Sequence, residues 1–245
     1  MSDRLYLSLW YPNFRLEALP AALTGVLRQF SLVGSKRVSA ASAYPINFTE
    51  PPTYQRIYVD TGSPSTGNPA QIDPGADDAA LEAAVAEATE QLHDDMAYEF
   101  EMRWQLWSLE EPDSTYSRLD MASSMDEDEL EQEQESDPEA PDTPWKLRPH
   151  TVRILGFGPT FDVAGYEQNG HLLVDFGLDT PWILETLEDE ELDEEAQLHI
   201  QQNVEKLLAF TLLVEKNCGI SSRLLWTESG EPLAEKLIAR LQRVN

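Results

Sequence analysis

Tyr98-Glu99-Phe100-Glu101-Met102-Arg103-Trp104-Gln105-Leu106 is the stretch on which the fold turns. Aromatic or aliphatic residues alternate with charged or amide residues over all nine positions. A strand points successive side chains to opposite faces, so this period of two predicts a strand with one buried and one wet face. No other segment of the chain alternates so cleanly.

Immediately before it the period is different. Asp77 and Asp78 open an alanine-rich segment whose apolar positions Leu81, Val85, Ala88 and Leu92 recur at helical spacing, which predicts an amphipathic helix ending near Asp95. Residues 61–76 hold three Gly and three Pro, the composition of a loop. Further upstream, Leu5, Leu7 and Leu9 alternate with Tyr6, Ser8 and Trp10, a second strand with two distinct faces. Leu16, Leu19, Leu23, Val26, Leu27 and Phe30 follow at helical spacing, with Pro20 near the first turn, where its missing N–H costs least. Val38–Ile46 and Gln55–Asp60 read as two more strands. The order strand, helix, strand, strand, helix, strand predicts a ferredoxin-like βαββαβ unit over residues 1–109.

Beyond Leu106 the composition changes abruptly. The chain of 245 residues carries a net charge of -28, and residues 110–142 hold 14 acids against one base (Arg118), a net of -13. Such a segment cannot bury apolar surface and its charges repel one another, so residues 110–145 are expected to act as an acidic linker. They also lack the turn glycine of a calcium loop, since no glycine occurs between Gly75 and Gly156.

Residues 146–245 predict a second ββαβα half that extends the sheet: a mixed, mostly antiparallel sheet with the helices packed on it, an α+β fold. Val152–Phe161 reads as a strand interrupted by Gly156-Phe157-Gly158-Pro159. Asn169-Gly170 is a hairpin signal, and His171–Gly177 is the returning strand. Asp179-Thr180-Pro181 looks like a helix cap with proline at the first helical position, opening a short helix through Leu187. Glu194–Asn217 is a long amphipathic helix, Ser222–Thr227 a last strand, and Pro232–Val244 a closing helix with Leu233, Leu237, Ile238 and Leu241 on one stripe.

The search for chemistry finds none that a motif specifies. The Gly156-Phe157-Gly158-Pro159 run lacks the third glycine of a dinucleotide fingerprint and the Lys-Ser/Thr of a phosphate loop. His93, His150 and His199 have no metal-ligand spacing, and the single cysteine, Cys218, follows a helix end that offers a thiolate no help. No cofactor and no metal are expected. His171 and Asp175 share a strand face but lie too far apart to pair; a cross-strand ion pair between Arg153 and Asp175 is the expectation.

The acidity argues against nucleic acid and anionic membranes as partners, since both bind through Lys and Arg. No apolar run approaches the length needed to cross a bilayer. With no secretion signal at the start of the sequence and one cysteine, the expected compartment is the cytoplasm. The leading functional reading is protein binding, as an adaptor or a homo-oligomeric scaffold, with a homodimer through an aromatic sheet face as its simplest version. Tyr6, Trp10 and Tyr58 are expected on that face. Tyr6, Trp10, Phe157 and Trp182 are the expected binding residues, Phe157 exposed by the glycine-rich bend and Trp182 on a surface turn after Pro181. An acidic immunity-type inhibitor of a basic toxin, such as a nuclease, is the runner-up, on charge complementarity. A hydrolase whose site is assembled from residues distant in sequence is the third reading.

Overall fold

The computed structural model describes residues 3–45, 54–57, 74–109, 145–182 and 194–229. Among the described residues seven strands form one sheet in the order β3-β2-β4-β5-β6-β1-β7, and every neighbouring pair is antiparallel. The strands are β1 (Arg4–Trp10), β2 (Ala40–Pro45), β3 (Tyr54–Ile57), β4 (Met96–Leu109), β5 (Trp145–Phe157), β6 (Leu172–Leu178) and β7 (Ser222–Thr227). Three long helices, α1 (Leu19–Ser31), α2 (Pro74–Ala88) and α4 (Glu194–Asn217), cover one face, and a two-turn helix, α3 (Val163–Asn169), joins β5 to β6. The fold is α+β as expected.

The expected ferredoxin-like arrangement is not the one found. In that arrangement β1 pairs within its own half. Here β1 lies between β6 and β7, and β5 and β6 separate it from β4. The cause is the long pairing of β4 with β5, which runs from Ala97↔Phe157 to Leu109↔Trp145. It occupies the edge of β4 that β1 would need. The sheet is also antiparallel throughout, where a mixed one was expected.

The alternation around Tyr98–Leu106 is realised as predicted. Tyr98, Phe100, Met102, Trp104 and Leu106 are buried against the helices, and Glu99, Glu101, Arg103 and Gln105 point away. Leu5, Leu7 and Leu9 of β1, Val152 and Ile154 of β5, and Leu172, Val174 and Phe176 of β6 join the same core. Its centre is aromatic. Trp104 stacks on Phe176 with ring centroids 5.5 Å apart and meets Phe30 of α1 at 5.3 Å. Phe210 of α4 sits edge-on to both Phe30 and Phe176.

Helix α1 buries Leu19, Ala22, Leu23, Val26, Leu27 and Phe30, one stripe at helical spacing. It crosses β5 closely at Gly156, where a Cβ would stand 2.6 Å from Leu19 Cδ1. Gly156 is therefore explained by a helix lying on the strand, and Gly158 by the close approach of the Asp94 and His93 backbone. The strand itself ends at Phe157 and starts at Trp145, earlier than expected. The Asn169-Gly170 hairpin signal is instead the end of α3: Gly170 has φ +98° and ends the helix in a conformation that glycine adopts without strain.

Strand β4 outruns β2, whose register with it ends at Ala40↔Glu101. The exposed edge is closed by side chains. Ser35 Oγ accepts from Arg103 N–H at 3.0 Å, and Lys206 Nζ donates to the carbonyl of Gln105 at 2.8 Å. Asn203 of α4, almost fully buried, accepts from Trp107 N–H through Oδ1 (2.9 Å) and donates through Nδ2 to the Trp107 and Pro181 carbonyls (both 2.8 Å). Its amide takes the place of a strand neighbour, because a buried backbone group without a partner is costly.

Tyr58, the expected linker, the short helix through Leu187 and the helix Pro232–Val244 lie outside the described residues, Trp145 excepted.

Candidate functional site

The candidate site is the sheet face opposite the three long helices. Antiparallel register places its side chains in rows. One row reads Ile57, Ala40, Glu101, Arg153, Asp175, Tyr6, Trp226 from β3 across to β7. The next reads Gln55, Ser42, Glu99, Leu155, Leu173, Ser8, Leu224. A polar strip thus crosses the middle of the sheet, with aromatic groups on either side.

On the β7 side, the Tyr6 and Trp226 rings lie 4.7 Å apart. The Trp226 indole N–H donates to Ser8 Oγ at 2.9 Å, and the Tyr6 hydroxyl donates to Glu228 at 2.8 Å. Burial, reinforced by the Glu228 carboxylate, pushes the Tyr6 phenol up to about 12. On the β2 side, Phe157 stacks on Phe161 at 5.5 Å, Tyr44 meets Phe161 edge-on, and the Tyr44 hydroxyl donates to Glu99 at 2.8 Å. Burial raises the Tyr44 phenol as well. Both tyrosines are therefore neutral hydrogen-bonding rings at ordinary pH.

The polar strip is paired within itself. Arg153 Nε lies 3.4 Å from Glu99 and 3.3 Å from Glu101. Asp175 accepts from Arg4 Nη1 at 2.9 Å and from Gly177 N–H at 2.8 Å. The expected Arg153–Asp175 pair is thus replaced: Asp175 takes Arg4, at the β1 bulge, and Arg153 turns to the two glutamates of β4.

Three of the four residues expected to bind are on this face. Tyr6 and Phe157 occupy opposite flanks, and Trp10 stands half-buried at the end of β1 across from Ser222. Trp182 is a correction. It has no exposure and packs into the core against Trp104 (5.9 Å) and Phe176 (6.1 Å). Asp179 does cap a turn, with its carbonyl accepting from Trp182 N–H at 2.9 Å, but the turn folds the indole inward, where its large apolar area is removed from water. Trp226, Leu173 and Leu155 were not singled out from the sequence. The signal for Trp226 was its even position in a strand whose odd positions, Arg223 and Leu225, face the helices.

His171 ends the face near β1. Tyr11 N–H donates to its Nδ1 at 3.0 Å, Phe14 stacks on it at 4.5 Å and Tyr166 lies 4.9 Å away. A backbone N–H can only donate, so Nδ1 carries no proton and the ring is the neutral Nε2–H tautomer. Burial lowers its pKa in the same direction. Cys218 is half-buried, and burial pushes its thiol up to about 11, away from the reactive thiolate. Among the described residues no three His, Cys, Asp or Glu side chains gather as a metal site, and no helix is long and apolar enough to cross a membrane.

No family model, curated protein or solved structure matches this chain.

Proposed function

We propose that this protein works by binding another protein across the open sheet face, and that the partner presents cations to it. The observation that carries the reading is the composition of that face. A solvated antiparallel face alternates toward polar side chains. This one offers Tyr6, Trp226, Leu173, Leu155 and Leu224 in neighbouring positions, with Leu224 about half exposed. Among the described residues no long helix packs on it. Apolar surface bordered by a polar strip is characteristic of an interaction site, and aromatic rings are the residues that anchor one.

Charge selects the kind of partner. The face itself holds Glu99, Glu101, Asp175 and Glu228 against Arg4 and Arg153, in a chain of net charge -28. Such a field attracts and orients a basic protein before contact. A toxin neutralised by this protein is one case of that class. A second copy of the chain is the second reading, favoured by the alternation of Arg153 with acids along one row, which is self-complementary when turned about a two-fold axis.

The test compares face with back. Full-length chain, Leu173→Glu on the open face, and Arg28→Glu on the helix side are each recovered from their own cell after cross-linking. The expected result is one protein held by the first and third and lost by the second, with the complex weakening steeply as salt rises. Equal retention by Leu173→Glu would remove the reading. In light scattering, a two-chain mass that falls to one chain in Leu173→Glu would identify the partner as a second copy.

A further inference from the structure

We propose that His171 is an acid-sensitive latch: its neutral ring clasps residues 11–15 onto the start of β6, and its protonation frees that segment and bares the rings of Tyr11, Phe14 and Tyr166.

The clasp is built from one hydrogen bond and two ring contacts. Strand β1 ends at Trp10, and the chain turns back at Asn13, whose φ is +50°. The Tyr11 N–H leaves this turn for His171 Nδ1 at 3.0 Å. Phe14, from the far side of the turn, lies nearly parallel to the imidazole, with centroids 4.5 Å and planes 8° apart. Tyr166 of α3 meets the imidazole at 4.9 Å, and Tyr11 packs on Phe14 at 5.4 Å. The imidazole therefore joins the turn to α3. Its backbone is held separately. His171 N–H donates to the Leu9 carbonyl at 2.9 Å, and the His171 carbonyl accepts from Phe157 N–H at 3.1 Å. The side chain can leave while the sheet stays paired.

The chemistry of the bond sets the direction of the switch. A backbone N–H only donates, so Nδ1 must be bare to receive it. A proton added there sets two donors against each other and places a charge in a half-buried position. The faces of Phe14 and Tyr166 attract a cation, but they supply no acceptor for the two ring N–H groups of an imidazolium. Water does, once the ring swings out. The other titratable groups around the ring do not hold the charge either. Burial pushes the Tyr11 and Tyr166 phenols up, so both are neutral. Asp175, on the same strand, is taken by Arg4 and by Gly177 N–H. Burial also lowers the His171 pKa from the ordinary 6.5, so the latch is closed at neutral pH and opens as the pH falls below that value.

Tyr11 narrows the gap between the two arrangements. Its hydroxyl is buried with no hydrogen-bond partner among the described residues. An unmet buried polar group is costly, and the open arrangement gives this one to water. The closed form thus carries a penalty that the open form sheds, as a two-state element biased by one proton requires.

Amide exchange of the full-length chain at pH 7.5 and pH 5, each rate divided by its intrinsic rate at that pH, reads the latch without a variant. Tyr11 should lose protection several-fold in acid, while His171 N–H, bonded to Leu9 in the sheet, keeps its own. Hydroxyl-radical oxidation of Tyr11, Phe14 and Tyr166 should rise several-fold over the same interval in the unaltered chain and in H150Q. It should stay flat in H171Q, whose amide takes up no proton. Unchanged protection at Tyr11 would overturn the proposal. So would equal loss at Tyr11 and His171, which is general unfolding, or a rise in oxidation that survives in H171Q. Should H171Q fail to fold, the ratio of the two amides in the unaltered chain decides alone.

Discussion

The two faces of the sheet are made by the same strands and have opposite material properties. Beneath the helices, alternate residues are apolar, fully buried and in contact across elements: Trp104 alone touches rings from α1, β6 and the turn at Trp182. On the other face the alternate residues are half-buried rings and paired charges that touch their strand neighbours. One face derives its stability from packing. The other keeps apolar area and charge at the surface, an arrangement that adds less to folding.

If that division holds, substitutions at comparable depth in the sequence should separate widely in cost. Trp104→Ala removes the ring at the centre of the aromatic core and should cost about 3–5 kcal/mol, enough to unfold a domain of ordinary stability. Trp226→Ala, on the open face, should cost well under half as much in the same urea titration. Similar costs for the two would mean that Trp226 is a core residue and that the face is not open.

The edge of β4 gives the next largest effect. Asn203→Ala strips Trp107 of partners for both its N–H and its carbonyl, and Pro181 of one for its carbonyl. Leaving buried polar groups unmet costs about 1–3 kcal/mol each. The expected loss is about 3 kcal/mol or more, with faster amide exchange at Trp107. Asn203→Asp keeps the acceptor and loses both donations, so it should protect the Trp107 N–H while still destabilising. Unchanged exchange in Asn203→Ala would show that water or another group already serves that edge.

These elements mark what could be read in advance and what could not. The strand at Tyr98–Leu106 was legible because alternation is a local property, and each residue's face follows from the pleat alone. Helices α1 and α4 were legible for the same reason, from their 3.6-residue stripes. Strand order was not. Alternation says that a strand has a wet face, but it does not say which neighbour takes its edge, and the β4–β5 pairing that displaces β1 is made by residues far apart in sequence. Trp182 shows the same limit within the site: Asp179-Thr180-Pro181 correctly announced a turn, yet the direction in which the turn sends the indole is set by Trp104 and Phe176. Asn203 gave no signal, since its role exists only where β2 happens to stop.

Two histidines give a pH-dependent form of the contrast. Burial lowers the pKa of both His150 and His171 from the ordinary 6.5. The folded protein therefore binds fewer protons than the unfolded chain near that pH, and stability rises with pH through this window. It should be full above 6.5 and decline as the pH falls toward the lowered values in the folded state. At His171 protonation also ends acceptance from Tyr11 N–H, a bond worth about 1 kcal/mol. In Tm measurements from pH 7.5 to 5, H150Q/H171Q should show a flatter profile than the unaltered protein. An identical slope would place the acid sensitivity elsewhere among the carboxylates.

The smallest effect is the sharpest test of whether the second face is wet. Arg153 is 42% exposed and bridges Glu99 and Glu101 at the middle of the polar strip. Ion pairs in contact with water are worth about 0–1 kcal/mol and fade with salt, because solvent already stabilises the separated charges. Arg153→Ala should therefore cost under about 1 kcal/mol at low salt and close to nothing at 1 M, where screening falls to about 3 Å. The physics differs if a covering element excludes water from the strip. Two carboxylates would then be left unpaired in a poor dielectric, the loss would rise to about 3 kcal/mol or more, and salt would barely change it.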